Sequence, residues 1–172
     1  MRKLNLILLS LTLIGAFVFT SYEKDPGKEP KTIVDIAIDN GFNVLAAVLT
    51  EANLVSTLQG DAPFTVFAPT DAAFDALYSD LGVTGPEQVD DALLEAVLLY
   101  YVLDLTAFSS DLEDGLTATT LSSGATFTVN LSDGASITDG TGATANITSV
   151  NILGTNGVIH VIDMVILPGS GK

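Results

Sequence analysis

The sequence predicts an α+β domain with helices and sheet in separate layers, and three observations carry that prediction. Apolar residues recur at helical spacing through most of residues 32–103. From Gly115 onward the chain changes to runs rich in Thr, Val and Ile. Those runs are parted by "SSG", "SDG", "TDGTG" and "TNG", which are turn sequences. Helices first and turn-linked strands later imply segregated layers and a mostly antiparallel sheet.

Taken in order, Thr32 is placed to cap a first turn holding Ile33, Val34, Ile36 and Ala37, with Asn40-Gly41 as its stop. Val44, Leu45, Val48, Leu49 and Ala52 give the next helix one apolar face. In "TVFAPTDAAFDALYSDLG", residues 65 to 82, Thr65, Val66 and Phe67 favour a strand. Pro69 has no N–H and ends the ladder, Thr70 caps a helix, and Asp71 sits at that helix's positive end. Phe74, Leu77 and Leu81 form a stripe expected to be buried, and Gly82 is a helix stop. Pro86 suits a first helical position, and "DDALLEAVLLYYVL" is apolar around most of its circumference, so a deeply buried helix is expected. The strands are then read in "LTATTL", "ATFTVNL", "ASIT", "ATANITSVNIL" and "GVIHVIDMVIL".

With 172 residues, 48% of them hydrophobic, the chain can bury one good core. Having no cysteine, it has no disulfide, thiolate metal site or cysteine nucleophile. The formal charge is −15, and all six basic residues lie near the ends: Arg2, Lys3, Lys24, Lys28, Lys31 and Lys172. Three of the 21 acids (Glu23, Asp25, Glu29) precede residue 32, which leaves 18 acids and no Lys or Arg between 32 and 171. Such a body repels nucleic-acid phosphates and anionic headgroups, so no nucleic-acid partner is expected. It suits a solvated, exported surface, or one that meets cationic or calcium-bridged partners.

Residues 1–21 read as an export signal or leader, with Arg2 and Lys3 before an apolar run from Leu4 to Phe19 that is short for a membrane span. Residues 22–31 form a polar linker with Pro26 and Pro30. Tyr22 stands where a bacterial lipoprotein leader would carry its lipidated cysteine, so a lipoprotein is not expected. The expected location is extracytoplasmic: secreted, periplasmic or at the cell surface. A membrane is contacted only through the leader if it stays uncleaved.

Several groups invite a chemical reading. Thr70 and Asp71 are explained by capping. His160, the only histidine, is expected to be half-buried and hydrogen-bonded, and no Gly-x-Ser-x-Gly elbow accompanies it. Asp133 and Asp139 lie in an oxygen-rich stretch without the Asp-x-Asp-x-Asp-Gly calcium loop, and Asp-Gly turns account for both. Asn130 and Asn146 begin glycosylation tripeptides and are read as unmodified. No catalytic, cofactor-binding or metal-binding residue is assigned. Tyr100 and Tyr101 are expected to bury their rings and leave their hydroxyls wet.

Two blocks together resemble the fasciclin, or FAS1, domain: "TVFAPTDAAFDAL" (65–77) its first signature and "NGVIHVIDMVILP" (156–168) its second. The resemblance covers residues 32–168, with 169–172 a tail. It implies a FAS1 fold, a β-wedge of short, mostly antiparallel strands packed with a layer of helices, in which Thr65–Phe67 and Val158–Val161 are neighbours. It marks Thr65, Phe67, Pro69, Thr70, Asp71, Phe74, Leu77, Tyr100, Asn156, Gly157, His160, Asp163 and Pro168 as structural signature residues. Many members carry Tyr-His, linked to integrin binding, where this chain has Tyr100-Tyr101, and Asp163-Met164 matches their Asp-Ile element in part; that function is not carried over. The resemblance implies a non-catalytic adhesion or interaction module for surface proteins, matrix or glycans. The alternatives are a hydrolase of an extracellular polymer using His160, and a small-ligand carrier, which needs an apolar cavity between sheet and helices.

Overall fold

In the computed structural model, residues 31–60 and 63–169 are described; the leader, the linker before Lys31 and tail residues 170–172 lie outside them. Thr32 and Asp35 cap each other at the start of α1 (Ile33–Asp39): the Thr32 N–H donates to the Asp35 carboxylate at 2.9 Å, while the Thr32 hydroxyl accepts from the Asp35 N–H. The Thr32 hydroxyl also donates to that carboxylate at 2.7 Å, and this bond first, then the one from the Thr32 N–H, holds the Asp35 carboxyl below its ordinary pKa. α2 (Asn43–Glu51) follows and buries Leu45, Val48 and Leu49, and a single turn, α3 (Val55–Leu58), buries Leu58.

β1 (Phe64–Pro69) is buried along its whole length, and α4 (Asp71–Leu81) starts two residues after it with Thr70 as N-cap. Gly82 ends α4 at φ 68°, a left-handed conformation that glycine adopts without strain. A short 3-10 helix, Pro86–Gln88, leads to α5 (Asp91–Tyr100), whose N-cap Asp90 accepts from the N–H groups of Ala92 and Leu93.

Two expectations about these helices are corrected. α5 ends at Tyr100, and Val102–Leu103 is a strand, β2, antiparallel to β1. Nor are the apolar stripes wholly buried: Leu81, the last residue of α4, is 54% exposed and Leu93, in the first turn of α5, 51%, because no neighbouring element covers either.

The remaining strands are β3 (Thr117–Thr119), β4 (Thr126–Asn130), β5 (Ser136–Thr138), β6 (Thr144–Gly154) and β7 (Gly157–Ile162). One seven-stranded sheet runs β2-β1-β7-β6-β5-β4-β3. β1 and β7 are neighbours, as the resemblance implied, and they run parallel with Thr65 opposite Val158 and Phe67 opposite His160; every other pair is antiparallel. The eleven-residue β6 pairs with β5 at its start and with β7 at its end, and register shifts near Ser149 bend it between the two. The far ends approach where the Leu121 N–H donates to the Val102 carbonyl. A wedge results, its core built on Phe67, Phe127, Tyr100 and Ile159, with α1, α2, α4 and α5 packed over it.

Candidate functional site

Every polar signature residue is tied into the fold. The Thr65 hydroxyl donates to the Leu105 carbonyl at 2.7 Å and accepts from the Ala107 N–H at 2.8 Å, pinning the chain after β2. The Thr70 N–H bonds to the Ile162 carbonyl in the same register as Phe64 N–H to the Asn156 carbonyl, so the missing N–H of Pro69 falls on the side of β1 away from β7 and costs that pairing nothing. Thr70 Oγ1 then accepts from the Ala73 N–H.

Asp71 does more than complement its own helix. Its carboxylate accepts from the Val44 N–H at 3.0 Å and the Asn43 amide at 3.3 Å, at the start of α2, where the N-cap residue Phe42 offers no side-chain acceptor. The junction at Pro69 thus joins β1 to α4 and α4 to α2.

Asn156 holds three parts of the chain, accepting from the Ile33 N–H at 3.0 Å and donating to the carbonyls of Leu58 and Gly60 at 2.7 and 2.9 Å. At Gly157 a Cβ would collide with the Phe64 carbonyl oxygen, so only glycine lets β7 come this close to β1. Asp163, exposed, accepts from the Asn146 N–H and side-chain amide at 2.7 and 2.8 Å.

His160 is wholly buried and not half-buried, since both faces of β7 are covered. Its ring stacks on Phe67, centroids 5.2 Å apart, and Nε2–H donates to the Ala107 carbonyl at 2.9 Å. Nδ1 has no partner, and burial pushes the pKa down from its ordinary value, which favours the neutral ring. Tyr100 and Tyr101 also depart from expectation, for neither hydroxyl is wet. The Tyr100 hydroxyl donates to the Thr126 carbonyl at 2.7 Å and accepts from the Gly140 N–H, and the Tyr101 hydroxyl is buried without a partner.

The candidate calcium ligands do not converge. Asp139 is buried, accepting from Thr141 N–H and hydroxyl, Ala143 N–H and Leu167 N–H, donors that an ion would have to displace. No group of three or more His, Asp or Glu is close enough to hold a metal among the described residues.

Between α4 and α5 the structure opens an apolar groove of about 320 Å³, and a second, larger opening of about 440 Å³ lies elsewhere, beside Leu103, Leu105 and Leu116. Val48 of α2 lies at the base of the groove, Phe74, Leu77 and Tyr78 form one wall, and Leu94, Val97 and Leu98 form the other. Leu81 and Leu93 stand at its mouth, and Leu167 and Pro168 line it from beyond β7. Of the signature residues, only Phe74, Leu77 and Pro168 border it. Sequence reading missed the groove because its walls come from segments whose approach is a tertiary fact; the one signal was a pair of helices with more apolar residues than one buried face needs.

The fasciclin domain family model matches residues 40–168. The chain belongs to the fasciclin domain family. Its relatives include the Synechocystis sp. protein sll1483, 37% identical over 140 residues (80% of this chain, 73% of that protein), and the Synechocystis sp. protein sll1735, 36% identical over 138 residues (80% and 98%). Human periostin is 35% identical over 136 residues, 79% of this chain but 15% of periostin. Among solved structures, a FAS1 domain pair from the insect cell adhesion molecule fasciclin I superposes with a TM-score of 0.53 at 19% identity, covering 76% of this chain and 45% of that one. That likeness confirms the fold of the fasciclin domain, helices over a β-wedge.

Proposed function

We propose that this fasciclin domain is a non-catalytic, extracytoplasmic interaction module that attaches to a surface protein, a matrix protein or a glycan. One observation carries the reading: the polar signature side chains, Thr65, Thr70, Asp71, Asn156, His160 and Asp163, all make hydrogen bonds inside the fold. A catalytic base must reach its substrate directly or through one water, and His160 is sealed from solvent by Phe67 and its own strand. The adhesion role named for the insect fasciclin I supports attachment as the purpose. The apolar leader supports export.

The test is binding of the full chain to immobilised surface extract of its source cells, matrix proteins and glycans across a salt series, with and without calcium. Saturable binding to one class is expected. Turnover of a polymer in that panel, lost in His160→Gln, would overturn the reading in favour of a hydrolase.

A small-ligand carrier is the second reading, favoured by the groove, whose volume lies within the range of about 300–1,000 Å³ typical of small-molecule sites. Organic extraction of the purified chain followed by mass spectrometry checks it: lipid recovered in equimolar amount supports a carrier, and none removes it.

A further inference from the structure

We propose that the groove between α4 and α5 is a docking site for a basic amphipathic helix of a partner protein, its apolar side chains entering the groove and its lysines or arginines lying over the rim. This rests on the interaction-module reading and names the chemistry of one partner.

The first support is the split between the lining and its surroundings. Aliphatic and aromatic side chains make up nearly the whole lining, Thr141 being the one residue of another kind. The elements that form the groove carry acids outside its lining: Asp75 and Asp80 are exposed on α4, Glu87 and Asp90 on the connection, and Asp91 and Glu95 on α5. Two of these carboxylates are felt at the groove wall, where burial first, and then Glu87 and Asp75, raise the Tyr78 phenol above its ordinary pKa. No Lys or Arg between residues 32 and 171 offsets them.

The second support is that apolar surface continues out of the groove. Leu81 and Leu93 are each about half exposed at its mouth, so an occupant confined to the interior would leave both wet.

Charge and hydrogen bonding then select the occupant. A fatty-acid carboxylate or another acidic chain would meet repulsion from these acids. An extended peptide would bring unpaired N–H and C=O groups against a wall with almost nothing to bond them. A helix satisfies its own backbone, presents apolar anchors at i, i+3, i+4 and i+7, and can carry positive charge along both flanks of that stripe.

The chain has no tryptophan, so an indole on a probe peptide reports alone. The probe is a Leu/Lys amphipathic peptide with one Trp on its apolar face, titrated with the full chain. Its controls are a scrambled peptide of the same composition, a Leu/Glu counterpart and dodecyltrimethylammonium. The variants are Leu81→Lys and Leu93→Lys at the mouth and Leu153→Lys on β6, where the side chain is 62% exposed and the charge change is the same. All three substitutions are at exposed sites, and circular dichroism verifies that each variant is folded.

The expected result is a saturable blue shift with the Leu/Lys helix, weakened about tenfold by either mouth substitution and unchanged by Leu153→Lys. Equal weakening by all three variants, or equal binding of the scrambled peptide, would reduce the effect to general charge attraction and overturn the proposal. So would binding of the surfactant without binding of the helix, which would assign a small cationic amphiphile. Panel binding that survives Leu81→Lys and Leu93→Lys while no helix binds would sink the groove assignment and leave the interaction module standing. Helix binding at the groove with no binding in the panel would do the reverse.

Discussion

At the scale of single residues, His160 shows how a group chosen for chemistry elsewhere serves packing here. Its Nε2–H anchors the Ala107 carbonyl, its ring stacks on Phe67, and Nδ1 is buried without a partner. Protonating Nδ1 would place a charge in a site that offers it no acceptor, which is why burial lowers the folded-state pKa below 6.5. Between the folded and unfolded pKa values the unfolded chain binds the extra proton, so acid draws the equilibrium toward unfolding. The contribution is therefore complete about one pH unit above the unfolded value of about 6.5 and is lost progressively as pH falls through it toward the folded pKa. Urea unfolding of the full chain should show stability declining as pH falls from about 7.5 toward the folded pKa. His160→Gln keeps an N–H that can donate to Ala107 but has no titrating ring. It should be less stable throughout, with the slope in that window flattened. An unchanged slope in the variant would locate the titration in other groups.

Among the elements, the parallel pairing of β1 with β7 organises the rest. It brings "TVFAP" beside "GVIHVI", and the hydrogen bonds of Asn156 link its starting end to α1 and to the turn after α3. Gly157 sets the approach of the two strands. Gly157→Ala would drive a methyl into the Phe64 carbonyl oxygen, which backbone on both sides cannot easily yield, and a loss of about 3 kcal/mol is expected in chemical denaturation. Gly82→Ala, at a positive-φ helix end with open space around it, should cost about 1 kcal/mol, so a similar loss at both sites would show that the close approach is not the cause.

Much of this layer was legible because its signals are local. Thr32, Thr70 and Gly82 mark helix ends by their own chemistry, and turn sequences separate β3 to β7. The reach of Asp71 to α2 was not legible, for any Asp after a capping Thr reads as a charge placed for its own helix dipole. Nor was the exposure of Leu81 and Leu93, since helical periodicity shows which residues share a face but not whether a neighbour covers it. For the same reason the signature residues were legible as a set, while the groove, bordered by only three of them, was not.

For the molecule as a whole, charge is the dominant surface property. The body carries 18 acids and no Lys or Arg between residues 32 and 171, and among the described residues the one ion pair joins Lys31 to Asp39, both about half exposed. An exposed pair of that kind contributes about 0–1 kcal/mol, too little to balance repulsion among so many carboxylates. Folding brings those carboxylates closer together than they lie in the expanded unfolded chain, so repulsion counts against the native state. Salt shortens the range of that repulsion from about 10 Å at 0.1 M to about 3 Å at 1 M. The melting temperature of the full chain should therefore rise with sodium chloride, most steeply at low concentration, where the Debye length falls fastest. Choline chloride at equal ionic strength should give the same initial rise, because screening depends on ionic strength and not on the cation. A melting temperature that falls in both salts would mean that attraction prevails on this surface. A rise with sodium alone would point to bound cations in place of screening.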